Sequence, residues 1–268
     1  MTGYPVNRDL QARTELWRIS PYCFSEHIRS QMTLPQKLQI CDITLREGRQ
    51  LPGVSLRLDD VLLIADEVMC GSGRSGTWRA LEHDQVVPDI MSIAKGLAGG
   101  YIPLGATLVT ARVAAPIRSE HGAFMTGHTF TGHTAACAAG LAVQNIIERD
   151  RLLDRVRTVG ATFQESIRHA LSRFDEVGDV RGRGFFIGIE LVRDRQTRLP
   201  FSPERALSFD IGARAFADGL ICYPCSGNVD GTAGDTIIIA PPYNASDSEL
   251  EEIITKFARA VDAALSSS

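Results

Sequence analysis

The chain is short of everything that would send it into a membrane or staple it outside a reducing compartment. None of its apolar runs approaches the ~20 residues that a membrane-spanning helix needs. The opening Met1-Thr-Gly-Tyr-Pro-Val-Asn-Arg-Asp lacks the apolar core of a secretory signal. Six cysteines are scattered over 268 residues, which fits reduced thiols in a cytoplasmic protein better than a disulfide framework. A formal net charge of −4 supplies no electrostatic pull toward nucleic acid or an anionic membrane. Repeats and low-complexity tracts are missing too. What remains is an ordinary globular composition, 44% hydrophobic and 22% charged, in a length that suits one large or two modest domains.

Several motifs are present only in part. Gly71-Ser-Gly-Arg-Ser-Gly76 fits the dinucleotide fingerprint, but no acidic residue ends a second strand about 20 residues later, as that fold requires. Cys222-Tyr-Pro-Cys225 has no second cysteine pair, so buried thiols in a strand are the better reading than zinc. His121, His128 and His133 share a glycine-rich segment without a converging carboxylate or thiol. They read as loop or interface histidines, and no metal site is assigned.

What is there begins with an acid and an amine. The apolar run Val61-Leu-Leu-Ile-Ala-Asp66 reads as a buried strand delivering Asp66 at its carboxyl end. Asp89-Ile-Met-Ser-Ile-Ala reads as a second strand that hands Lys95 to a glycine-rich turn. Ligands of open α/β sheets bind just beyond the carboxyl ends of the strands. A lysine amine and a carboxylate placed there suit pyridoxal phosphate (PLP), which needs the first for its Schiff base and the second opposite its pyridine nitrogen. Further strands are expected at 104–109 and near 184–192, 219–223 and 235–240. Helices are expected from Thr134 to Arg149, from about 151 to 173, and from a cap at Ser246 or Asp247 through Ala264. The small residues in the first half of the 134–149 helix allow close packing.

The run Leu62-Leu-Ile-Ala-Asp-Glu-Val-Met-Cys-Gly-Ser-Gly-Arg-Ser-Gly-Thr-Trp78 resembles the signature of class III PLP-dependent aminotransferases. The resemblance continues through Pro88 to Gly105, Gly127-His-Thr-Phe-Thr-Gly-His-Thr to Gly140, Val180-Arg-Gly-Arg-Gly to Glu190 and Gly234 to Pro242, covering about 61–265. It implies part of the large α/β domain of fold type I PLP-dependent transferases over 61–155 and a small C-terminal α+β domain over 156–268. It implies amino-group transfer from an amine or amino acid to a keto acid, with Lys95 the Schiff-base lysine and base, and Asp66 the partner of the pyridine nitrogen. Val68 would pack on the ring. Thr129 would bind the cofactor phosphate of a neighbouring subunit, hence a homodimer with sites at the interface. Many members carry a carboxylate-gripping arginine two residues before Ala240-Pro-Pro, and here Ile238 stands there.

Residues 1–60 match none of the family's N-terminal half, neither its phosphate-binding turn nor its ring-stacking aromatic. Ile40-Cys-Asp-Ile-Thr-Leu-Arg-Glu-Gly-Arg-Gln-Leu-Pro-Gly53 resembles instead the first strand and loop of isopropylmalate synthase and acyl-CoA lyase TIM barrels, where Asp42 would ligate a divalent metal and Arg46 stabilise an enolate. No His-x-His pair follows, and a barrel without seven of its eight units cannot close. The expectation is a chimera joined near 60, binding PLP weakly, or a catalytically impaired remnant that serves as a binding or dimerisation module. Deleting residues 1–60 should then change the thermal midpoint little. A large drop, measured by calorimetry on both forms, would mark the segment as integral.

Overall fold

The computed structural model describes residues 62–124 and 127–266. The block from Ile40 to Gly53, with Asp42 and Arg46, lies outside the described residues.

Three short strands form the first sheet. β1 (Ile64–Asp66) and β2 (Ile90–Ile93) run parallel, with Asp66 opposite Ser92. β3 (Ala106–Val109) returns antiparallel along the other side of β2. Asp89 sets the register, because its carboxylate accepts the Leu63 N–H at 3.0 Å. A parallel pair needs a crossover. Here it holds the Gly71–Gly76 turn and a single 3₁₀ turn, Ala80–Asp84. Ala65, Leu81 and Met91 form the small core beneath. The apolar run ending at Asp66 reads as buried on both faces, yet Ile64 is 62% exposed. Among the described residues no element packs over that side chain.

After β3 come α1 (Ala111–His121), which the sequence reading did not include, and α2 (Thr134–Arg149), which it did. His133 Nδ1 accepts the Ala136 N–H and caps α2. Ala136 and Gly140 are buried, and a Cβ at Gly140 would lie 2.6 Å from Leu104. The small residues bring α2 close to Leu104 and the turn that follows β2, rather than onto a sheet as their spacing suggested. Gln144 fixes the contact by donating to Leu97 O at 2.8 Å.

The remainder is a four-stranded antiparallel sheet, β4 (Val177–Arg183), β5 (Phe186–Leu191), β7 (Asp235–Ile239) and β6 (Tyr223–Ser226) in spatial order. Helices α3 (Leu152–Leu171), α4 (Leu207–Ala217) and α5 (Asp247–Leu265) share its core. Alternate residues Ile187, Ile189 and Leu191, with Ile237 and Ile239, meet Phe163, Ile167, Ile211, Phe257 and Val261 there. Ser246 and Glu249 close a reciprocal capping box at the start of α5. Two strands differ from expectation. The one near 184–192 is the second arm of a hairpin that begins at Val177, and the one near 219–223 lies at 223–226.

A glycine fixes how α3 meets that hairpin. At Gly160 a Cβ would stand 2.6 Å from the backbone of Gly184, in the β4–β5 turn. Helix propensity alone favours Ala over Gly by about 1 kcal/mol. Overpacking against backbone costs about 1–3 kcal/mol. The second effect is the larger, so Gly160→Ala should lower the urea midpoint. A rise would mean that the hairpin turn yields freely.

Candidate active site

β2 ends at Ile93, and Lys95 opens a 3₁₀ turn, Lys95–Ala98. Its backbone is left-handed, with φ of 46°, a region that non-glycine residues rarely occupy. Such strain persists only where the surroundings over-determine it, and it clusters at functional sites. Ala98 is fully buried and anchors the turn, while Lys95 is exposed. Its amine forms no hydrogen bond among the described residues.

Asp66 and Glu67 are adjacent in sequence and opposite in role. Asp66 ends β1, the strand paired in parallel with the one that delivers Lys95. It is exposed, and one carboxylate oxygen accepts the Val68 N–H at 3.0 Å. Glu67 is 2% exposed. Its oxygens accept the Ala80 and Leu81 N–H groups at 2.9 and 3.0 Å, holding the start of the Ala80–Asp84 turn. Cys70 donates to the same carboxylate at 3.1 Å. Burial, then that carboxylate, pushes the Cys70 thiol up to about 12, so it stays protonated. Glu67 is structural, and Asp66 is the acid left for a ligand.

The Gly71–Gly76 turn is no phosphate cradle. A Cβ at Gly71 would meet Glu67 O at 2.6 Å, one at Gly73 would meet Leu153 at 2.7 Å, and one at Gly76 would meet Arg157 at 3.1 Å. The glycines admit protein atoms, and the fingerprint reading fails on space. Within the turn Arg74 is half-buried and reaches two carbonyls, Pro241 O at 2.5 Å and Phe185 O at 3.3 Å. Its guanidinium lies 4.5 Å from the Tyr243 ring centroid. Burial lowers the guanidinium from its usual value, with Tyr243 opposing; burial raises the Tyr243 phenol, with Arg74 opposing. Tyr243 donates its hydroxyl to Ser72 O at 3.0 Å. A Cβ at Gly96 would stand 3.4 Å from both Ser72 Cβ and the Tyr243 oxygen, so this assembly touches the lysine turn. Neither Arg74 nor Tyr243 was singled out in the sequence. Their signal was only position, Arg74 inside the glycine turn and Tyr243 after Pro241-Pro242.

Val68 is half-buried beside Asp66. Thr129 is exposed in the turn before α2, where the neighbouring Thr131 hydroxyl accepts the His128 N–H at 3.0 Å. Ile238 faces Gly188 on one side and Tyr223 on the other. Cross-strand partners share a face, which puts Arg181, opposite Gly188, on the same face. Arg181 is spent on Asp179 at 3.0 Å and Glu190 at 2.5 Å. It is no ready replacement for a carboxylate clamp. Among the described residues no group of three or more His, Cys, Asp or Glu could hold a metal ion, and no helix is long and apolar enough to cross a membrane.

Residues 56–261 match the family model described as aminotransferase class-III. An aminotransferase of Gibberella zeae is 43% identical over 205 residues, 76% of this chain and 40% of that protein. The uncharacterized aminotransferase YodT of Bacillus subtilis is 40% identical over 207 residues, 77% of this chain and 47% of that protein. The crystal structure of an amine transaminase from an uncultivated Pseudomonas species, in its PLP-bound form, superposes with a TM-score of 0.66 at 37% identity, over 77% of this chain and 44% of that one. The chain thus spans less than half the length of the relatives it matches here.

The two acids can be told apart by stability alone. Glu67→Gln removes a buried, charge-accepting group and should cost about 1–3 kcal/mol in urea unfolding. Asp66→Asn, exposed and still able to accept the Val68 N–H, should change stability by less than about 0.5 kcal/mol. Equal losses would contradict this division of roles.

Proposed function

The chain belongs to the class-III aminotransferases, and from that premise we propose that it serves PLP-dependent transfer of an amino group from an amine or amino acid to a keto acid. The observation that carries the reading is the placement of Lys95 and Asp66 at the carboxyl ends of two hydrogen-bonded parallel strands, both exposed. The donor set fits the group: a primary amine with no partner among the described residues, and a carboxylate with one oxygen left over.

Pyridoxal phosphate, when bound, supplies an aldehyde that condenses with amines and a ring that withdraws electrons from the bonds of the attached carbon. Lys95 Nζ would hold it covalently. The same nitrogen, as a free amine, would be the base for the proton on the substrate Cα. Asp66 would hold the proton on the pyridine nitrogen, its carboxylate oriented by the Val68 N–H. The Val68 side chain would pack on the ring.

Thr129 is assigned to the cofactor phosphate of a neighbouring subunit in a homodimer. Apolar exposure around it supports the assignment: Phe124 is 70%, Phe130 76% and Leu141 64% exposed. Large apolar side chains left in water together mark a protein-binding surface.

The test uses the scarcity of lysine, since the whole chain has only Lys37, Lys95 and Lys256. Incubation with PLP followed by borohydride should place the label on Lys95, and Lys95→Ala should lose it with the fold intact by circular dichroism. Labelling spread evenly over the three lysines, or none at all, would sink the proposal.

A further inference from the structure

The left-handed backbone of Lys95 needs an external support, and the structure shows where one comes from. Backbone bonds tie the Lys95–Ala98 turn to its flanks, among them Leu97 N–H to Ala94 O at 2.9 Å and Gly99 N–H to Gly96 O at 3.1 Å. Neither involves the Lys95 N–H. From one side α2 holds the turn through Gln144 and Leu97 O. From the other side the neighbours of Gly96 are Ser72 and the Tyr243 hydroxyl. Ser72 has a left-handed backbone too, with φ of 54°, and is 5% exposed. A strained residue and the Tyr243 hydroxyl thus lie together against Gly96, the residue that follows Lys95.

We propose that Tyr243 is a positioning residue for Lys95: its hydroxyl, bonded to Ser72 O, wedges Ser72 against Gly96 and keeps the lysine turn in the conformation that presents the amine at the end of β2. Tyr243 follows β7, so the lysine turn is set by the second sheet, which has no part in the strands that deliver Lys95. Arg74 stiffens the wedge from behind, stacked on the Tyr243 ring and bonded to Pro241 O just upstream of it. A ring without the hydroxyl still fills the space and still stacks on Arg74. What it loses is the bond to Ser72 O, which leaves Ser72 held by its own N–H to Trp78 O at 2.9 Å. The catalytic meaning of this support rests on the assignment of Lys95 above, whereas the mechanical claim does not.

Tyr243→Phe in the full chain separates the possibilities, with two readouts. The first is hydrogen exchange, followed by mass spectrometry on peptides covering 72–76 and 95–99 in protein without added cofactor. Loss of one ordinary hydrogen bond should speed exchange in both segments by about tenfold, while peptides from α3 and α5 and the thermal midpoint stay nearly unchanged. The second is the pH profile of the rate at which PLP and borohydride label Lys95. It should drop severalfold in the variant and lose its wild-type shape, because the amine is no longer held in one environment. Unchanged exchange at 95–99 overturns the proposal, and so does a variant that fails to fold, since either makes Tyr243 a structural residue alone. If wild-type Lys95 takes no label, the functional assignment falls, and the exchange result still decides the mechanical claim.

Discussion

A half-buried positive charge governs this structure. Taking a guanidinium out of water costs several kcal/mol unless it finds partners, and Arg74 finds them in two carbonyls and one aromatic face. Those partners belong to the β4–β5 turn and to the segment after β7. The Gly71–Gly76 turn must therefore thread between β1 and the second sheet at close quarters. The glycines follow from that requirement. At Gly73, Gly76 and Gly184 the backbone is left-handed, and an added Cβ would meet neighbouring protein atoms at 2.7–3.1 Å. One cation and a set of missing side chains join the two sheets where larger residues could not.

The same constraint explains why Asp66 and Glu67 part company. The chain has to leave β1 and turn at once toward the second sheet. Glu67 points into the protein and holds the return turn, while Asp66 keeps the exposed end of the strand. The usual alternation of side chains along an extended chain does the sorting.

Much of this was legible beforehand, and the reasons differ by element. In the first sheet β1 and β2 were evident because apolar runs lead into an acid or a lysine, and β3 because a short apolar run follows a glycine-rich loop. Helix α2 was evident from its small residues, and α5 from a serine cap followed by helical periodicity. Helix α4 was not, because Leu207-Ser-Phe-Asp-Ile-Gly-Ala mixes small, polar and aromatic residues without a clear stripe. The shift of β6 has a physical cause. Gly219-Leu-Ile-Cys invites a strand, yet the ladder starts four residues on, at Tyr223, and includes Pro224. That is tolerable because β6 is an edge strand and needs no further donor on its outer side. The placement of Asp66 and Lys95 at the ends of two paired strands was readable from residue type and spacing. Arg74 and Tyr243 were not, because their importance lies in a contact between segments far apart in the chain. No local pattern records it.

That separation has a consequence for how the protein is made. Ribosomal synthesis is vectorial and runs at roughly 5–20 residues per second. The Lys95 turn emerges early, whereas the tyrosine that closes it emerges on the order of ten seconds later. The β-hairpin between them forms in microseconds. The nascent chain thus holds a finished local fold beside an unfinished site. The amine stays in a loose, unselective backbone until nearly the whole second sheet is in place. The turn that presents Lys95 is thus completed only after the last strand of the second sheet and the segment that follows it have been made.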